Sequence, residues 1–254
     1  MLTLYFSGTG NSKYVAERFA AGMDCDCRSI EEAADFGALI RAADSVAFVY
    51  PVYCSRVPRI LREFVKAHTA ELYGKKLVIL CTQMEFSGDG ARCFTDLLPR
   101  RAATVLYAEH ILMPNNISNF LIFHKTAEKR IQQLSKNADR TVARICADIK
   151  AGRIRKRGFN VFSRFLGFLQ GMWQPMMEWA MNGTVRIGSE CTGCGLCVQR
   201  CPMKNLTLEN GKAVAHGNCT ECYRCINLCP ARAVRILFRR KPKWQFQGIK
   251  NGPQ

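Results

Sequence analysis

The chain has 254 residues, which is enough for two domains, and 14 of them are cysteines. Its formal net charge of +17 favours an acidic partner or an anionic surface. Because the sequence starts directly with a strand pattern and no secretory signal, we expect a cytoplasmic protein whose cysteines are not a disulfide scaffold.

A strand predicted at residues 2–6 leads into a loop of glycine and hydroxyl side chains, which opens a predicted helix. The loop reads Ser-Gly-Thr-Gly-Asn-Ser over residues 7–12. Glycines let a ligand approach the backbone, and the helix N-terminus attracts anions. The third glycine of a dinucleotide fingerprint and the Gly-Lys of a Walker loop are absent, so the loop suits one phosphate monoester. An ordinary helix cap is the simpler alternative, and the predicted phosphate ligands are Ser7, Thr9, Gly10, Asn11 and Ser12.

Five apolar runs, separated by helical or loop segments, predict a parallel sheet with helices on both faces. The runs cover residues 2–6, 25–30, 45–50, 76–83 and 104–112. Apolar residues at helical spacing predict a helix starting at Pro58 and a final helix that includes Ile131 to Ile149. Within this pattern the phosphate loop resembles that of the flavodoxins. The resemblance implies an α/β fold with a doubly wound, five-stranded parallel sheet of order 2-1-3-4-5, and FMN at the switch point between strands 1 and 3.

The same resemblance implies that the loops after the third and fourth strands hold the flavin ring. These loops span residues 51–56 and 83–90, and residues 113–116 offer a third wall. Tyr53 and Phe86 are able to stack on a flavin, with simple packing as the alternative for both. The predicted ring contacts are Pro51, Val52, Tyr53, Gln83, Phe86, Gly88 and Gly90.

A basic cluster at residues 153–157 leads into an aromatic and methionine-rich stretch that runs to residue 181. Its longest uncharged run, residues 165–177, contains a proline and is too short to span a bilayer. Three interpretations compete. The one we favour is an interdomain element that buries Phe162, Phe165, Phe168 and Trp173. The others are an interfacial helix on an anionic membrane and a docking site for a partner protein.

Two cysteine runs of the form C-x2-C-x2-C-x3-C-P begin at Cys191 and Cys219, 28 residues apart. In each run three thiolates wrap one iron–sulfur cubane, and the fourth ligates the partner cluster. Structural zinc fits this spacing poorly, because it prefers separated pairs of ligands. We therefore predict one [4Fe–4S] cluster on Cys191, Cys194, Cys197 and Cys229, and another on Cys219, Cys222, Cys225 and Cys201.

The cysteine repeat belongs to a second predicted domain, in which Asn210-Gly211 signals a hairpin between the two halves. Residues 184–238 resemble the bacterial two-cluster ferredoxins, and the whole chain resembles the bacterial flavodoxin–ferredoxin fusion proteins. We expect an FMN-binding domain at residues 1–152, a helical bridge at 153–183, a small α+β ferredoxin domain at 184–240 and a tail at 241–254.

A flavin and two cubanes in one chain predict an electron-transfer protein that couples one- and two-electron chemistry, with an acidic redox protein or a peripheral anionic membrane surface as partner. The alternative is a flavin-dependent reductase of a small molecule or quinone, fed by the clusters. A basic module for nucleic acid has the charge but no recognition motif, so we expect no nucleic-acid partner.

Overall fold

The computed structural model describes residues 1–119 and 123–249. Its larger part is a parallel sheet of order β2-β1-β3-β4-β5-β6. The prediction of order 2-1-3-4-5 is therefore confirmed, and a sixth strand adds to it. The strands are β1 (Leu2–Tyr5), β2 (Asp26–Ser29), β3 (Ser45–Pro51), β4 (Lys76–Gln83), β5 (Thr104–Leu112) and β6 (Arg155–Lys156).

Helices cover both faces of this sheet because its central strands are apolar on both sides. In β4, Leu77 and Ile79 pack into one buried layer, whereas Val78 and Leu80 pack into the other. Helices α1 and α5 cover the second layer, and α2, α3 and α4 cover the first. Their bounds are α1 (Asn11–Met23), α2 (Phe36–Ala42), α3 (Arg59–Ala67), α4 (Arg92–Thr95) and α5 (Glu128–Lys150).

The sixth strand lies where the sequence predicted only the start of a bridge. Glu109 is fully buried in β5, and its carboxylate accepts ion pairs from Arg144, Arg155 and Arg157 at 2.6, 3.2 and 3.0 Å. A buried carboxylate needs charged partners. The ion pairs with Glu109 therefore hold residues 155–157 at the edge of β5, where Arg155 and Lys156 pair with the strand. The predicted five-stranded sheet is corrected to six strands.

Two further helices, α6 (Val161–Gly171) and α7 (Gln174–Thr184), follow β6. The favoured interpretation of this segment is wrong in its detail, because Phe162, Phe165, Phe168 and Trp173 are 58–70% exposed. Helix α6 contacts the first domain through small residues instead. A Cβ on Gly167 would overlap Asp89, and one on Gly171 would overlap the guanidinium of Arg56. Close backbone approach therefore turns the aromatic side chains outward.

The smaller part of the chain consists of two antiparallel pairs, β7 with β10 and β8 with β9. Asn210 and Gly211 have φ values of 47° and 74° between β8 and β9, which is the turn that their sequence predicts. The remaining elements are β7 (Arg186–Ile187), α8 (Leu196–Gln199), β8 (Leu206–Glu209), β9 (Lys212–Ala215), α9 (Arg224–Leu228) and β10 (Val234–Arg235). The tail follows, and its last five residues, 250–254, lie outside the described residues. Within the described residues, no helix is both long and apolar enough to cross a membrane.

Candidate functional site

The loop after β1 lies at the carboxyl edge of the sheet and leads directly into α1. Gly10 precedes the helix with φ 103°, and no side-chain hydrogen bond caps the helix there. The backbone N–H of Gly10 donates to Ser7 Oγ at 3.1 Å, which fixes the shape of the loop. Thr9 Oγ1 accepts a hydrogen bond from Asn116 Nδ2 at 2.8 Å, so its own proton is left for another acceptor. An uncapped helix N-terminus beside free hydroxyl donors suits an anion.

A cavity of about 390 Å³ opens above this loop. It brings together the phosphate loop and residues from all three predicted walls, including Tyr53, Gln83 and Asn116. Two of its side-chain oxygens, Asn11 Oδ1 and Gln83 Oε1, are buried and have no hydrogen-bond partner among the described residues. Buried polar atoms are normally satisfied, so orphaned ones mark a place for a polar ligand. Of the predicted residues, the cavity is lined by Ser7, Thr9, Asn11, Ser12, Pro51, Val52, Tyr53 and Gln83.

Four predicted residues do not line this cavity. Gly10 shapes the loop from outside it, and Phe86 is 55% exposed elsewhere on the surface. Gly88 packs against the backbone of Gly167, and Gly90 packs against Val52. The two glycines are therefore required for close packing of the 83–90 loop, and that loop meets the cavity at its beginning, through Gln83 and Met84.

The strand β3 ends in a tight turn that the sequence did not signal. Tyr53 and Arg56 exchange backbone hydrogen bonds of 3.0 and 2.8 Å, and the two residues between them, Cys54 and Ser55, have φ values of 47° and 59°. Left-handed backbone at two consecutive non-glycine residues is strained and often found at ligand sites. Ser55 Oγ holds the turn through Ser87 Oγ at 2.9 Å, so the aromatic ring of Tyr53 is presented at the cavity wall.

The opposite wall comes from parts of the chain that sequence reasoning assigned to other roles. Trp173, Met177 and Met181 reach the cavity from the α6–α7 pair. Glu221 and Tyr223 reach it from the second cysteine run. Burial raises the pKa of Glu221 to about 7, with the nearby Glu178 carboxylate adding to the effect. No local motif could reveal these residues, since they meet the loop only through the tertiary fold.

The first cysteine run and the last cysteine of the second run surround a small enclosed cavity. Cys191, Cys194, Cys197 and Cys229 all line it. Burial raises the pKa of the Cys197 thiol, and the other three thiols lie close enough to raise it further. Four converging thiols form a donor set that suits an iron–sulfur cluster. Among the described residues, no group of three or more His, Cys, Asp or Glu side chains is placed to hold a single metal ion.

The second set of thiols is more deeply buried than the first. Burial raises the pKa of Cys219 to about 12 and that of Cys222 to about 11, and Cys201 contributes to the raised pKa of both. Burial also raises the pKa of Cys225, with further contributions from Cys222, Cys219 and Cys201 and then from Cys197 of the first run. The structure therefore brings Cys201 to the three cysteines of the other run.

The 28-residue repeat also holds in the backbone. Gly195 and Tyr223 stand at equivalent positions with φ values of 73° and 57°, and so do Lys204 and Arg232, both at 50°. The amide of Asn205 donates to Cys201 Sγ, and that of Ala233 donates to Cys229 Sγ, both at 3.2 Å. Such hydrogen bonds to sulfur are one means by which a protein adjusts cluster potentials.

The two halves of the chain meet at the phosphate loop. A Cβ on Gly8 would overlap the backbone carbonyl of Cys222, so the loops touch through their backbones. Arg224 donates to the carbonyl oxygens of Ser7 and Gly8 at 2.7 and 3.0 Å and pairs with Glu31 at 2.7 Å. One cysteine run is thereby fixed against the edge of the cavity.

Residues 2–167 match the flavodoxin domain family, and residues 184–239 match the 4Fe-4S dicluster domain. The chain belongs to the flavodoxin family. Its flavodoxin domain implies FMN as cofactor, and its dicluster domain implies two 4Fe–4S clusters. Together the two domains indicate a redox role. Comparison with curated proteins found no match.

Solved structures of flavodoxins and related proteins share this fold at low identity. The two-electron reduced flavodoxin of Megasphaera elsdenii is 17% identical and aligns over 55% of this chain and 99% of its own, with a TM-score of 0.39. Oxidised flavodoxin 2 of Bacillus cereus is also 17% identical, over 59% and 97%, with a TM-score of 0.39. General stress protein 14 of Treponema denticola in complex with FMN is 12% identical, over 58% and 97%, with a TM-score of 0.44.

Proposed function

We propose that the protein transfers electrons between FMN in the flavodoxin domain and two [4Fe–4S] clusters in the dicluster domain. FMN exchanges one or two electrons and each cluster passes one, so the combination links two-electron to one-electron chemistry. The observation that carries the proposal is the direct contact of Gly8 in the phosphate loop with Cys222 in the second cysteine run.

The residues at this contact hold the two sites together. The Arg224 guanidinium is only 15% exposed and spans Ser7, Gly8 and Glu31, which fixes the phosphate loop against the cysteine run. Burial raises the pKa of Tyr223 well above its usual range, so its phenol stays protonated as it lines the cavity. A close, hydrogen-bonded contact of this kind favours transfer inside one molecule over transfer between molecules.

We assign the cluster ligands as the sequence predicts, with crossed fourth cysteines. Cys191, Cys194, Cys197 and Cys229 hold the cluster farther from the FMN cavity, and Cys219, Cys222, Cys225 and Cys201 hold the nearer one. Cys194 is exposed, whereas Cys219 and Cys222 are buried. We therefore place the contact with an external redox partner on the Cys194 side, and the net charge of +17 favours a partner with an acidic surface.

The FMN phosphate is assigned to the loop from Ser7 to Ser12, and the ring to the space between Tyr53, Gln83 and Trp173. A reductase acting on a small molecule or quinone would need room for a substrate beside the ring. The cavity of about 390 Å³ is at the lower end of the roughly 300–1,000 Å³ that ligand sites occupy. This size favours transfer to the clusters over a second bound substrate.

The cofactor content tests the proposal directly. Anaerobically purified protein should contain about eight iron atoms, about eight sulfides and about one FMN per chain. Its visible spectrum should show flavin bands above a broad iron–sulfur absorption. Stoichiometric zinc in place of iron, or a chain that retains clusters but no flavin, would contradict the proposal.

A further inference from the structure

Helices α6 and α7 present a continuous apolar surface to solvent. Nine large side chains on this surface are 43–81% exposed, with Val161 and Trp179 the most exposed. Single exposed apolar residues are ordinary, but contiguous patches mark interaction surfaces. We call this surface the aromatic face, and it consists of Val161, Phe162, Phe165, Phe168, Leu169, Met172, Trp173, Met176 and Trp179.

The exposure of the aromatic face follows from how the helices are anchored. The inner side of α6 carries Gly167 and Gly171, which pack against Asp89 and Arg56. Gln170 Oε1 also accepts hydrogen bonds from Ser55 Oγ at 2.5 Å and from the amide of Gly88 at 2.9 Å. The helix is therefore held firmly by its small and polar side, and its large apolar side chains stay mostly exposed.

The segment that carries the aromatic face is almost entirely positive in charge. Glu178 is the sole acidic residue between positions 153 and 184, and it is 15% exposed and paired with Arg62 at 2.8 Å. Glu109 accepts three arginines, so the basic cluster beside α6 keeps an excess of positive charge. Lys156 and Arg164 are exposed and form no ion pair with a described residue.

A second basic run lies at the other end of the helix pair. The amide of Leu237 donates to Thr184 Oγ1 at 3.1 Å, which ties the C-terminal segment to the end of α7. After Phe238 come Arg239, Arg240 and Lys241, which are all exposed. The aromatic face is thus bordered by positive charge at both ends.

We propose that the aromatic face and its basic borders bind peripherally to an anionic lipid bilayer. Helices that bind in the interfacial region combine an apolar face rich in aromatic residues with flanking lysine and arginine. The surface is the outer side of two helices, with an open depression where Val161, Phe165 and Phe168 adjoin Arg56 and Arg92. The one acidic side chain of this segment, Glu178, is largely buried and paired, and the excess of lysine and arginine matches the negative charge of a lipid surface.

Membrane binding would bring the flavin cavity close to the lipid. The same α7 helix that exposes Met176 and Trp179 lines the cavity with Met177 and Met181. A helix with its side chains is about 10–12 Å across, so about one helix diameter would separate the cavity from the lipid surface. This proposal shares only Trp173 with the proposed electron transfer, and the variants that test it leave Trp173 in place, so either proposal stands if the other fails.

Flotation of the intact, cofactor-loaded protein with vesicles tests the proposal. Vesicles of phosphatidylcholine and phosphatidylglycerol in equal parts should carry the protein at low salt, whereas pure phosphatidylcholine should bind it at least about tenfold more weakly. Raising the salt concentration should release part of the bound protein. Phe165→Ser with Trp179→Ser, and separately Lys156→Glu with Arg164→Glu, should each weaken binding by about tenfold or more.

Tyr73→Ser is the matched control, since Tyr73 is an exposed aromatic residue outside the aromatic face, at 68% exposure. It should bind vesicles like the unaltered protein. Each variant should keep its visible spectrum, which shows that it is folded. Failure of the unaltered protein to float with anionic vesicles, or binding by both double variants that equals that of the unaltered protein, would overturn the proposal. So would a dimer in light scattering that Phe165→Ser with Trp179→Ser dissolves, because the face would then bind a second copy of the chain.

Discussion

The backbone carbonyl of Cys222 lies against the Cα of Gly8, so the second cysteine run and the phosphate loop are in contact with no side chain between them. This contact joins the two domains at the place where each is expected to hold its cofactor. Arg224 reinforces it from the cysteine side, and Asn227 adds a hydrogen bond to the Asn116 carbonyl at 2.9 Å. The domains are thus organised around one shared junction.

Gly8→Ala should disrupt this junction. The added Cβ overlaps a backbone carbonyl that cannot move without shifting the cysteine run, so overpacking should cost about 1–3 kcal/mol of stability. Denaturation followed by flavin fluorescence measures the effect. Gly183→Ala is the matched control, because a Cβ there meets nothing within 4 Å, and it should be neutral or stabilising by up to about 1 kcal/mol. Equal behaviour of the two variants would show that the junction is not tight.

Cys201→Ala should impair the cluster of the second run and leave that of the first largely intact. The reason is that Cys201 lies close enough to Cys219, Cys222 and Cys225 to contribute to the raised pKa of each. Cys229→Ala should do the reverse. Iron and sulfide analysis combined with electron paramagnetic resonance of the reduced protein distinguishes the two clusters. Loss of the first cluster alone in Cys201→Ala would overturn the crossed assignment.

Thr9→Ala should weaken FMN binding by about 1.5–3 kcal/mol, because its hydroxyl proton is available to a charged acceptor. Ser12→Ala should have a smaller effect, since Ser12 Oγ already shares a hydrogen bond of 2.7 Å with Thr82 Oγ1. Titration of flavin-free protein with FMN gives the affinities, and mass spectrometry identifies the released flavin. Release of FAD would rule out this phosphate site. So would an unchanged affinity for FMN in a variant that carries both Thr9→Ala and Ser12→Ala.

The stability of the flavodoxin domain should fall as the pH drops below about 6.5. His110 is buried and its Nε2 accepts the Ala91 amide at 3.2 Å, and burial, followed by the charge of Arg157, lowers its pKa to about 4. The unfolded chain takes up this proton near pH 6.5, whereas the folded chain does not. Stability is therefore complete above that pH and is lost towards pH 4, by at most on the order of 3 kcal/mol.

Urea unfolding at several pH values measures this loss. His110→Gln should flatten the pH dependence, and His124→Gln, at an exposed position, should leave it as it is. A slope that persists in His110→Gln would assign the acid sensitivity to other groups.

Much of the fold follows from the sequence because its signals are local. Strands β4 and β5 appear with the predicted bounds, since uninterrupted apolar runs suit strands that are buried on both faces. The cysteine repeat likewise predicts which thiols come together. Gly193 and Glu221 are 28 residues apart and both have a left-handed backbone, although a glutamate would not by itself suggest that conformation.

The remaining features depend on contacts between distant segments. The helical pattern of α6 shows two faces, but only the packing of Gly167 on Asp89 decides that the small face is the buried one. Trp173 and Tyr223 line the cavity above the phosphate loop because the chain folds back over that loop. The turn at Cys54 and Ser55 has no glycine or asparagine to announce it. Tertiary contacts override local preference at each of these places.

The rate of flavin reduction after rapid chemical reduction of the clusters shows whether electrons pass between the two domains of one molecule. Stopped-flow spectroscopy at flavin and cluster wavelengths follows the transfer over a wide range of protein concentration. Because Cys222 and Gly8 hold the two sites in contact within one chain, we predict a first-order rate that does not change with protein concentration. A rate that rises in proportion to protein concentration would contradict the account, since the two domains would then exchange electrons only between molecules.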